Sequence, residues 1–396
     1  MSQRNVVLGV TGSIAAYKAA DLASRLTQAG FSVHTVMTEN ATKLVAPATF
    51  RALTGRPVAT EMFDLSSPFS IEHVSLAEIA DALVIAPATA NVIAKLAHGI
   101  ADDLLTCTAL ATRAPVLIAP AMHTAMWENP ATLANVETLR ERGVTFAGPA
   151  VGRLASGGHG AGRMAPVDDI LDEIGALLGR HGSLAGRRVV VTAGGTHEAI
   201  DPVRFLGNRS SGKMGYAVAA AARDRGASVT LISAPATLHR PAGVRVIDVT
   251  TADEMLAAVE QALPGSDVLI MAAAVADFAP AEALSTKAKK GKAPLSMDLR
   301  RTPDILEAVR DVPVKVKVGF AAETENLIAN ARDKLARKNL DLVVANDVGG
   351  ENSPFGSDMN EAILVGPTDT TPTPRMPKRA LADLILDRVV ALLENA

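Results

Sequence analysis

The chain has 396 residues, a formal net charge of −3, 48% hydrophobic residues and only 3% aromatic residues. This length favours two domains of roughly 150–200 residues each, and the near-neutral charge gives no sign of binding to nucleic acid or to an anionic membrane. The single cysteine, Cys107, excludes an internal disulfide and a thiolate-rich metal site. The N-terminus enters a strand pattern without room for a signal peptide, and the apolar runs are too short to cross a membrane, so we expect a cytoplasmic protein.

The first half of the chain alternates between strand and helix patterns. Residues 6–10 predict a strand, residues 14–29 a helix and residues 32–38 a second strand. The runs 81–87 and 114–120 are short and apolar and end at proline, as fully buried parallel strands do. Polar residues follow both runs, which places functional loops at the carboxyl ends of a parallel sheet.

The glycine- and charge-rich stretch 179–188 separates two such patterns, so we predict domains at 1–182 and 186–396. In the second domain RRVVVTAGGT (187–196) repeats the arrangement of a strand followed by a glycine turn. The segment 366–377 is rich in Pro and Thr and predicts a loop before the last helix. The other main elements are predicted at 212–225, 228–233, 267–278, 340–347 and 378–394. The fold class is therefore α/β, with two Rossmann-like parallel-sheet domains.

A turn of small residues, GSIAAYK (12–18), joins the first strand to the first helix. Its backbone N–H groups and the Ser13 hydroxyl suit a phosphate at a helix N-terminus, although many α/β turns have the same composition. Thr89 and Asn91 follow the strand at 81–87 and are further candidates to bind phosphate or ribose. The G-x-G-x-x-G spacing is absent, which argues against a nicotinamide dehydrogenase.

Five motifs of this half together resemble the homo-oligomeric flavin-containing cysteine decarboxylases, over roughly residues 5–170. They are GSIAAYK, IEHVSLAEIAD, APATAN, GIADDLLT and PAMHTAMW. The resemblance implies a flavodoxin-like flavoprotein domain, with FMN held by Gly12, Ser13, Thr38, Thr89 and Asn91. It also implies that His73 is the catalytic base, a role that a neutral imidazole can fill, whereas the residue alone would favour a surface or helix-capping histidine.

The chemistry that this resemblance implies belongs mainly to the cofactor. The thiol-bearing carbon of the substrate is oxidised to a thioaldehyde, the carboxylate is lost, and the product is reduced again. The chain departs from the family pattern at two positions, His123 and Ser156.

At the position of His123 the family has an asparagine that hydrogen-bonds the substrate carboxylate. The resemblance implies that the preceding residue, Met122, also contacts the substrate. We expect the role to persist with a different pH dependence. Ser156 lies in the glycine-rich clamp 152–164 where many bifunctional relatives have a cysteine that supplies a proton. A hydroxyl is a much weaker acid than a thiol, so another donor is needed, and His159 in the same loop is one candidate.

The stretch VTAGGTHEAIDPVRFLGNRSSGKMG (191–215) carries the strongest signal in the second half. A glycine turn after a strand can hold a triphosphate through its N–H groups, although it can also be a purely structural turn. The spacing is not that of a P-loop. The basic segment KAKKGK (287–292) is either a solvated charged loop or a lid, and its position between two strand-end motifs favours a lid.

With AAAVADF, STKAKK, VGFAAET and RKNLDLVVAND, this stretch closely resembles the phosphopantothenate–cysteine ligases, over roughly residues 186–390. The resemblance implies that a carboxylate is activated by CTP as an acyl-cytidylate, which Asn208 stabilises, and that cysteine then attacks it. Asp277 is implied at the metal end of the site, with Mg²⁺. The other implied nucleotide or substrate contacts are Ser211, Gly212, Lys213, Ala274, Phe278, Lys287, Lys289, Phe320, Lys338 and Asn346.

Together the two resemblances imply a bifunctional decarboxylase and ligase of coenzyme A biosynthesis that acts on small molecules and binds neither nucleic acid nor membrane. They also imply flavin sites at trimer contacts and paired ligase domains, hence a homo-oligomer, a dodecamer. Two alternatives stay open: an enzyme whose flavin half is vestigial or stalls at the enethiol, and a regulatory binding protein. Flavoproteins of the second kind carry long acidic tails, which this chain lacks.

Overall fold

The computed structural model of the chain describes residues 3–63, 71–289, 296–349 and 356–395. The chain divides into two compact units, Met1–Leu178 and Gly179–Ala396. The last three residues of the predicted lid KAKKGK lie outside the described residues. A second such segment, 350–355, includes the start of the turn-rich sequence ENSPFGSD (351–358). In the described ranges, no helix combines the length and the hydropathy needed to span a bilayer.

The first unit alternates strands and helices along the chain. Its elements are β1 Asn5–Val10, α1 Ala16–Gln28, β2 Ser32–Met37, α2 Glu39–Thr42, α3 Pro47–Thr54, β3 Val58–Ala59, α4 Glu72–Ile79, β4 Ala82–Ala88, α5 Ala90–His98, α6 Leu104–Ala111, β5 Val116–Pro120, α7 Thr124–Trp127, α8 Pro130–Glu141, β6 Thr145–Phe146, β7 Ala150–Arg153, β8 His159–Arg163 and α9 Val167–Gly179.

A six-stranded parallel sheet in the order β3-β2-β1-β4-β5-β6 forms the centre of this unit. Every residue of β4 is buried, as expected for a central strand covered by helices on both faces. On α1 the buried residues Ala16, Ala19, Leu22, Ala23 and Leu26 recur every three or four positions and form one apolar stripe. The strand order reverses between β1 and β4, and this switch point is where parallel sheets bind their ligands.

In its described residues, the second unit contains a larger sheet and three small two-stranded antiparallel sheets. Its elements are β9 Arg188–Ala193, β10 His197–Ala199, β11 Phe205–Gly207, α10 Lys213–Arg223, β12 Ser228–Ser233, β13 Arg245–Asp248, α11 Ala252–Ala262, β14 Val268–Met271, β15 Phe278–Pro280, β16 Leu299–Arg301, α12 Ile305–Ala308, β17 Val316–Glu323, α13 Leu327–Arg337, β18 Leu342–Asp347, β19 Met359–Asn360, β20 Ile363–Val365, β21 Thr370–Pro372, β22 Met376–Pro377 and α14 Lys378–Glu394. The three small sheets are β10-β11, β15-β16 and β19-β22.

The main sheet of this unit has the order β13-β12-β9-β14-β17-β18-β20-β21. The strands from β13 to β18 are parallel, and β20 and β21 extend the sheet antiparallel. The order reverses between β9 and β14, so this unit has its own switch point. The prediction of two Rossmann-like α/β units is confirmed.

Two segments differ from the sequence-based expectation. The clamp 152–164 is not a flexible loop, because β7 and β8 pair as an antiparallel hairpin that contains most of it. The segment 366–377, predicted as a loop, contributes β21 and β22. β21 lies at the sheet edge, where a strand tolerates proline because its outer N–H groups need no partner in the sheet.

A partly buried histidine on β2 makes the stability of the first unit depend on pH. Burial, and then the charge of Arg56, lower the pKa of His34 to about 4, and the ring lies 3.1 Å from the Ser32 hydroxyl. The unfolded chain therefore takes up a proton near pH 6.5 that the folded chain refuses until about pH 4. The stabilisation is complete above pH 6.5 and is lost as the pH falls through this range.

We expect the first unit to lose roughly 1–2 kcal/mol between pH 7 and pH 5, after allowance for solvent screening. Urea unfolding at both pH values, followed by the fluorescence of the only tryptophan, Trp127, measures the loss. The variant His34→Gln removes the titrating group and is expected to show a smaller change. An equal change in both proteins would assign the pH dependence to other groups.

Candidate functional site

In the first unit a buried threonine ties the two strands of the switch point together. The Thr11 hydroxyl donates to the carbonyl oxygen of Pro87 at 2.8 Å and accepts the backbone N–H of Thr89 at 3.0 Å. Thr11 is fully buried. The loops that follow β1 and β4 are therefore held side by side, as a ligand site at the carboxyl edge of the sheet requires.

The predicted FMN ligands follow three neighbouring strands. Gly12 and Ser13 follow β1, Thr38 follows β2, and Thr89 and Asn91 follow β4. Thr38 precedes α2 without a capping bond from its side chain, whereas the Thr89 hydroxyl accepts the N–H of Val92 at 3.3 Å and caps α5. Asn91 is exposed on the first turn of α5.

At Gly12 the turn after β1 approaches the backbone of Asn40 closely. A Cβ atom at Gly12 would lie 2.5 Å from the Cβ of Asn40 and 3.3 Å from its carbonyl carbon. Only glycine fits there, and the turn keeps its backbone accessible to a ligand.

A cavity of about 520 Å³ opens beside this turn. It is lined by residues of the turn and of α1, by the segment 121–123 and by the β7–β8 hairpin. The structure thus brings together four of the predicted residues, which come from three separate motifs: Ser13, Met122, His123 and Ser156. Gly12, Thr38, Thr89 and Asn91 do not line this cavity.

The clamp hairpin lies directly against the PAMHTAMW motif. The N–H of Met122 donates to the carbonyl oxygen of Gly162 at 2.9 Å. His123 precedes α7, and its Nδ1 accepts the N–H of Ala125 at 3.2 Å. The neutral ring therefore carries its proton on Nε2, which is left to donate to a ligand.

The remaining predicted side chains of this unit lie elsewhere. His73 is half-buried near the N-terminus of α4 and does not line the cavity. His159 is exposed on β8 and does not line it either. Cys107 lies on α6, where its thiol donates to the carbonyl oxygen of Ala101 at 3.3 Å, and burial raises its pKa, so it is a poor nucleophile.

Three cationic side chains of the cavity were missed by the sequence analysis: Lys18, Arg153 and Arg163. Lys18 ends the GSIAAYK motif, and the two arginines flank the glycine-rich clamp. The sequence did contain a signal for them, because each of the two motifs that meet at this cavity carries at least one cation.

In the second unit two glycine turns pack on each other at the switch point. Gly194 and Gly212 both have positive φ, and a Cβ at Gly212 would lie 3.4 Å from the backbone of Gly194. Gly212 is also the N-cap of α10. The turn after β9 is thus brought against the N-terminus of a helix, an arrangement that binds phosphate groups.

Asn208 links this turn region to the loop after β14. Its side-chain amide donates to the carbonyl oxygens of Ala274 at 3.3 Å and Val275 at 2.9 Å. Ala274 in turn donates its N–H to Gly194 at 2.8 Å. The structure therefore joins Asn208 and Ala274 in one network, and Ser211 and Gly212 immediately precede the adjacent helix α10.

Lys213 is engaged by a loop distant in sequence. Its Nζ lies 2.6 Å from Asp358 Oδ1 and 2.9 Å from the carbonyl oxygen of Gly356. Asn346 is buried, and its amide donates to Asn360 at 2.9 Å and to the carbonyl oxygen of Glu361 at 2.7 Å. In this conformation both predicted contacts hold the protein's own loops.

A group of charged residues lies on and beside α13. The Nζ of the buried Lys338 contacts Asp304 at 2.6 Å and Glu307 at 2.8 Å. Lys334, which the sequence analysis missed, donates to the carbonyl oxygen of Phe320 at 2.7 Å. Burial lowers the pKa of Lys334, opposed by nearby carboxylates that include Asp277. Lys334 therefore contacts Phe320 and lies within electrostatic range of Lys338 and Asp277.

The predicted lid is anchored at its described end. Ala288 lies between Lys287 and Lys289, both exposed, and donates its N–H to Asp201 at 3.2 Å. Arg204 donates to the carbonyl oxygen of Ala288 at 2.8 Å and to Asp201, and that bond holds the pKa of the Asp201 carboxyl below its usual range. Phe278 is 48% exposed on β15.

Among the described residues, Asp277 belongs to no group of three or more side chains that could hold a metal ion. Across the described parts of the chain, no three or more His, Cys, Asp or Glu side chains are arranged to hold a metal ion. Asp277 is exposed after the loop that Asn208 contacts. A metal at this position would need most of its ligands from a bound molecule or from water.

Comparison with known proteins matches both halves of the chain. The Flavoprotein family profile matches residues 1–179, and the profile described as DNA/pantothenate metabolism flavoprotein C-terminal domain matches residues 184–393. The coenzyme A biosynthesis bifunctional protein CoaBC of Mycobacterium tuberculosis (strain ATCC 25618 / H37Rv) is 47% identical over 408 residues, which cover 98% of this chain and 97% of that protein. CoaBC of Bacillus subtilis (strain 168) is 45% identical over 397 residues, which cover 99% and 98%.

Among solved structures, the C-terminal domain of a CoaBC protein shares 37% sequence identity, with a TM-score of 0.47, and covers 54% of this chain and all of that chain. The family resemblance found in the sequence is confirmed by the full-length relatives. This chain belongs to the CoaBC family of bifunctional coenzyme A biosynthesis proteins.

Proposed function

We propose that the second unit joins 4'-phosphopantothenate to cysteine with CTP, and that the first unit decarboxylates the product with FMN to give 4'-phosphopantetheine. The chain is a bifunctional enzyme of coenzyme A biosynthesis, with a flavoprotein half and a ligase half. The observation that supports the proposal most strongly is that each unit has its own switch-point site, built on the motif of its half. A ligase with a vestigial flavin half and a regulatory binding protein are not favoured, because the relatives match over both halves.

The residues of the first unit fit FMN. Three strand ends converge on one edge, and Gly12 allows a ligand close access to the backbone. Gly12, Ser13, Thr38, Thr89 and Asn91 would hold the cofactor, with its phosphate at the turn after β1. When bound, FMN supplies the two-electron chemistry at the thiol-bearing carbon.

The protein's own part in the decarboxylation is to orient the substrate and move protons. We assign the proton of the substrate thiol to His73 on the family resemblance alone, because His73 does not line the cavity of its own chain. His123 donates from Nε2 to the substrate carboxylate, while its Nδ1 accepts the N–H of Ala125. Met122 and the clamp hairpin cover the reacting part of the substrate and exclude water. Ser156 is too weak an acid for the final protonation; His123 lines the same cavity and is an ionisable alternative, whereas His159 does not line it.

In the second unit the carboxylate of phosphopantothenate attacks the α-phosphate of CTP, and pyrophosphate leaves. Asn208 holds the resulting acyl-cytidylate at the loop of Ala274, and the glycine turns with Ser211 and Gly212 hold phosphate groups. The exposed cations Lys287 and Lys289 offset the charge on the phosphates. Lys213 and Lys338 contact carboxylates of the protein in this conformation and would have to exchange them for phosphate. Phe278, Phe320 and Asn346 form the edge of the pocket.

Asp277 would hold Mg²⁺ together with the bound nucleotide. Magnesium is commonly held by one or two carboxylates together with phosphates and water, which agrees with a lone exposed Asp277. We further propose, from the family resemblance, a cytoplasmic dodecamer that acts on small molecules and binds neither nucleic acid nor membrane.

Mass spectrometry of the products formed from phosphopantothenate, cysteine and Mg²⁺ with each of the four nucleoside triphosphates tests the proposal. We expect 4'-phosphopantetheine, formed most rapidly with CTP. A product two hydrogens lighter than 4'-phosphopantetheine would show that the flavin half stalls at the enethiol. Accumulation of phosphopantothenoylcysteine would show that only the ligase half is active. Absence of turnover with every nucleotide would overturn the proposal.

A further inference from the structure

The cavity of the first unit has a one-sided charge distribution. Lys18, Arg153 and Arg163 line it, together with His123, and no Asp or Glu of the described chain does. None of the three permanent cations forms an ion pair with a described residue. Arg153 and Arg163 are exposed, whereas Lys18 is half-buried. Lys95, another half-buried lysine of this unit, contacts Asp102 at 2.6 Å and Asp103 at 3.1 Å. An uncompensated group of cations around a cavity indicates a negatively charged ligand.

Two of these cations come from different elements and lie close enough to affect each other. Lys18 is half-buried on the first turn of α1, and Arg163 ends β8. Burial, and then the charge of Arg163, lower the pKa of Lys18. A Cβ atom at Gly152 would lie 3.5 Å from Nη1 of Arg163, so the guanidinium packs against the facing strand β7 of the hairpin.

We propose that Lys18 and Arg163 form a subsite for a phosphate monoester dianion, that of the substrate of the decarboxylation step. The proposal rests on the function proposed above. A dianion offsets two cations that otherwise repel each other, and a guanidinium binds phosphate through two parallel N–H bonds. Because Arg163 belongs to the clamp hairpin and Lys18 to α1, one phosphate would join the hairpin to the body of the unit.

The reacting carboxylate is a poorer candidate for this subsite. Decarboxylation moves negative charge out of the carboxylate, so two cations bound to it would stabilise the ground state more than the transition state. The phosphate takes no part in the reaction, so cations bound to it stabilise the ground state and the transition state equally. His123, which has a neutral form that donates one hydrogen bond, suits the carboxylate better.

FMN also carries a phosphate monoester, so the experiment separates the two sources. Isothermal titration calorimetry of the FMN-loaded protein measures the binding of phosphopantetheine and of pantetheine, which differ only in the phosphate. Fluorescence titration of the apoprotein with FMN and with riboflavin makes the same comparison for the cofactor. The variants are Lys18→Gln and Arg163→Gln, and Arg113→Gln is the control, because Arg113 is exposed in the same unit and outside the cavity.

We expect each cavity variant to bind phosphopantetheine about 10- to 100-fold more weakly, the range for one charge-assisted contact, with pantetheine and FMN binding unchanged. A selective loss of FMN relative to riboflavin would keep the phosphate subsite and move its source to the cofactor, overturning the assignment to the substrate. Equal losses for phosphorylated and unphosphorylated ligands, or no loss, would overturn the subsite itself. These binding measurements need no turnover, so a failure of the phosphate subsite can be distinguished from a failure of the proposed function.

Discussion

Replacement of Gly162 by alanine is expected to lower the decarboxylase rate by about 100-fold or more and to leave ligation unchanged. Gly162 has φ +136°, and a Cβ atom there would lie 2.4 Å from the carbonyl oxygen of Met122 and 3.3 Å from the backbone of His123 and Thr124. These neighbours are backbone atoms and cannot rotate away. The clamp hairpin would have to separate from the segment that carries Met122 and His123, and a misplacement of about 1 Å is enough for a loss of this size.

Gly157→Ala is the matched control for this prediction. Gly157 lies in the same hairpin with φ +88°, and a Cβ there would meet nothing within 4 Å. Alanine at 157 therefore brings the strain of a positive φ without the clash, and we expect less than about a threefold change in rate. Carbon dioxide release from supplied phosphopantothenoylcysteine measures the first unit, and pyrophosphate release the second. Similar losses in both variants would attribute the effect to backbone strain instead of close packing.

Elements governed by local pattern were predictable from the sequence. The last helix was predicted at 378–394 and is observed at Lys378–Glu394, and the strand at 228–233 is also observed as predicted. Apolar periodicity and turn residues fix such elements. The clamp was predicted as a loop because its glycines carry no strand pattern. Its pairing as β7–β8 depends on packing against Met122 and Thr124, residues that lie about 30–40 positions earlier in the sequence.

The residues of the candidate sites show the same difference between local sequence pattern and tertiary contact. The motif resemblance predicted Ser13, His123 and Ser156 as site residues, and in the structure they line one cavity. It missed Lys334, whose significance comes from burial and from its bond to Phe320 across two elements. It also gave no sign that Asp358 holds Lys213, an ion pair between residues 145 positions apart. Such contacts depend on tertiary structure, which local sequence patterns do not contain.

Replacement of Asn208 by aspartate is expected to lower ligation by about 100-fold or more, with the decarboxylase rate unchanged. The amide of Asn208 donates to the carbonyl oxygens of Ala274 and Val275. A carboxylate has the same shape but no hydrogen to donate, so it would face two carbonyl oxygens with a negative charge. That charge would also repel the phosphate of the acyl-cytidylate. Loss of both bonds would displace the loop of Ala274 and Val275 from the site, and a misplacement of about 1 Å costs about 10² in rate.

Formation of phosphopantothenoylcysteine under saturating substrates measures the effect, and decarboxylation of supplied phosphopantothenoylcysteine shows that the rest of the chain is folded. Asn129→Asp makes the same chemical change at the N-cap of α8, where the side chain accepts the N–H of Ala131 at 3.0 Å. A carboxylate accepts that bond as well as an amide does, so we expect no change in either rate. The variant Asn208→Ala removes the donor without adding charge. If it ligates at the wild-type rate while Asn208→Asp does not, repulsion alone explains the loss, and Asn208 has no role in stabilising the acyl-cytidylate.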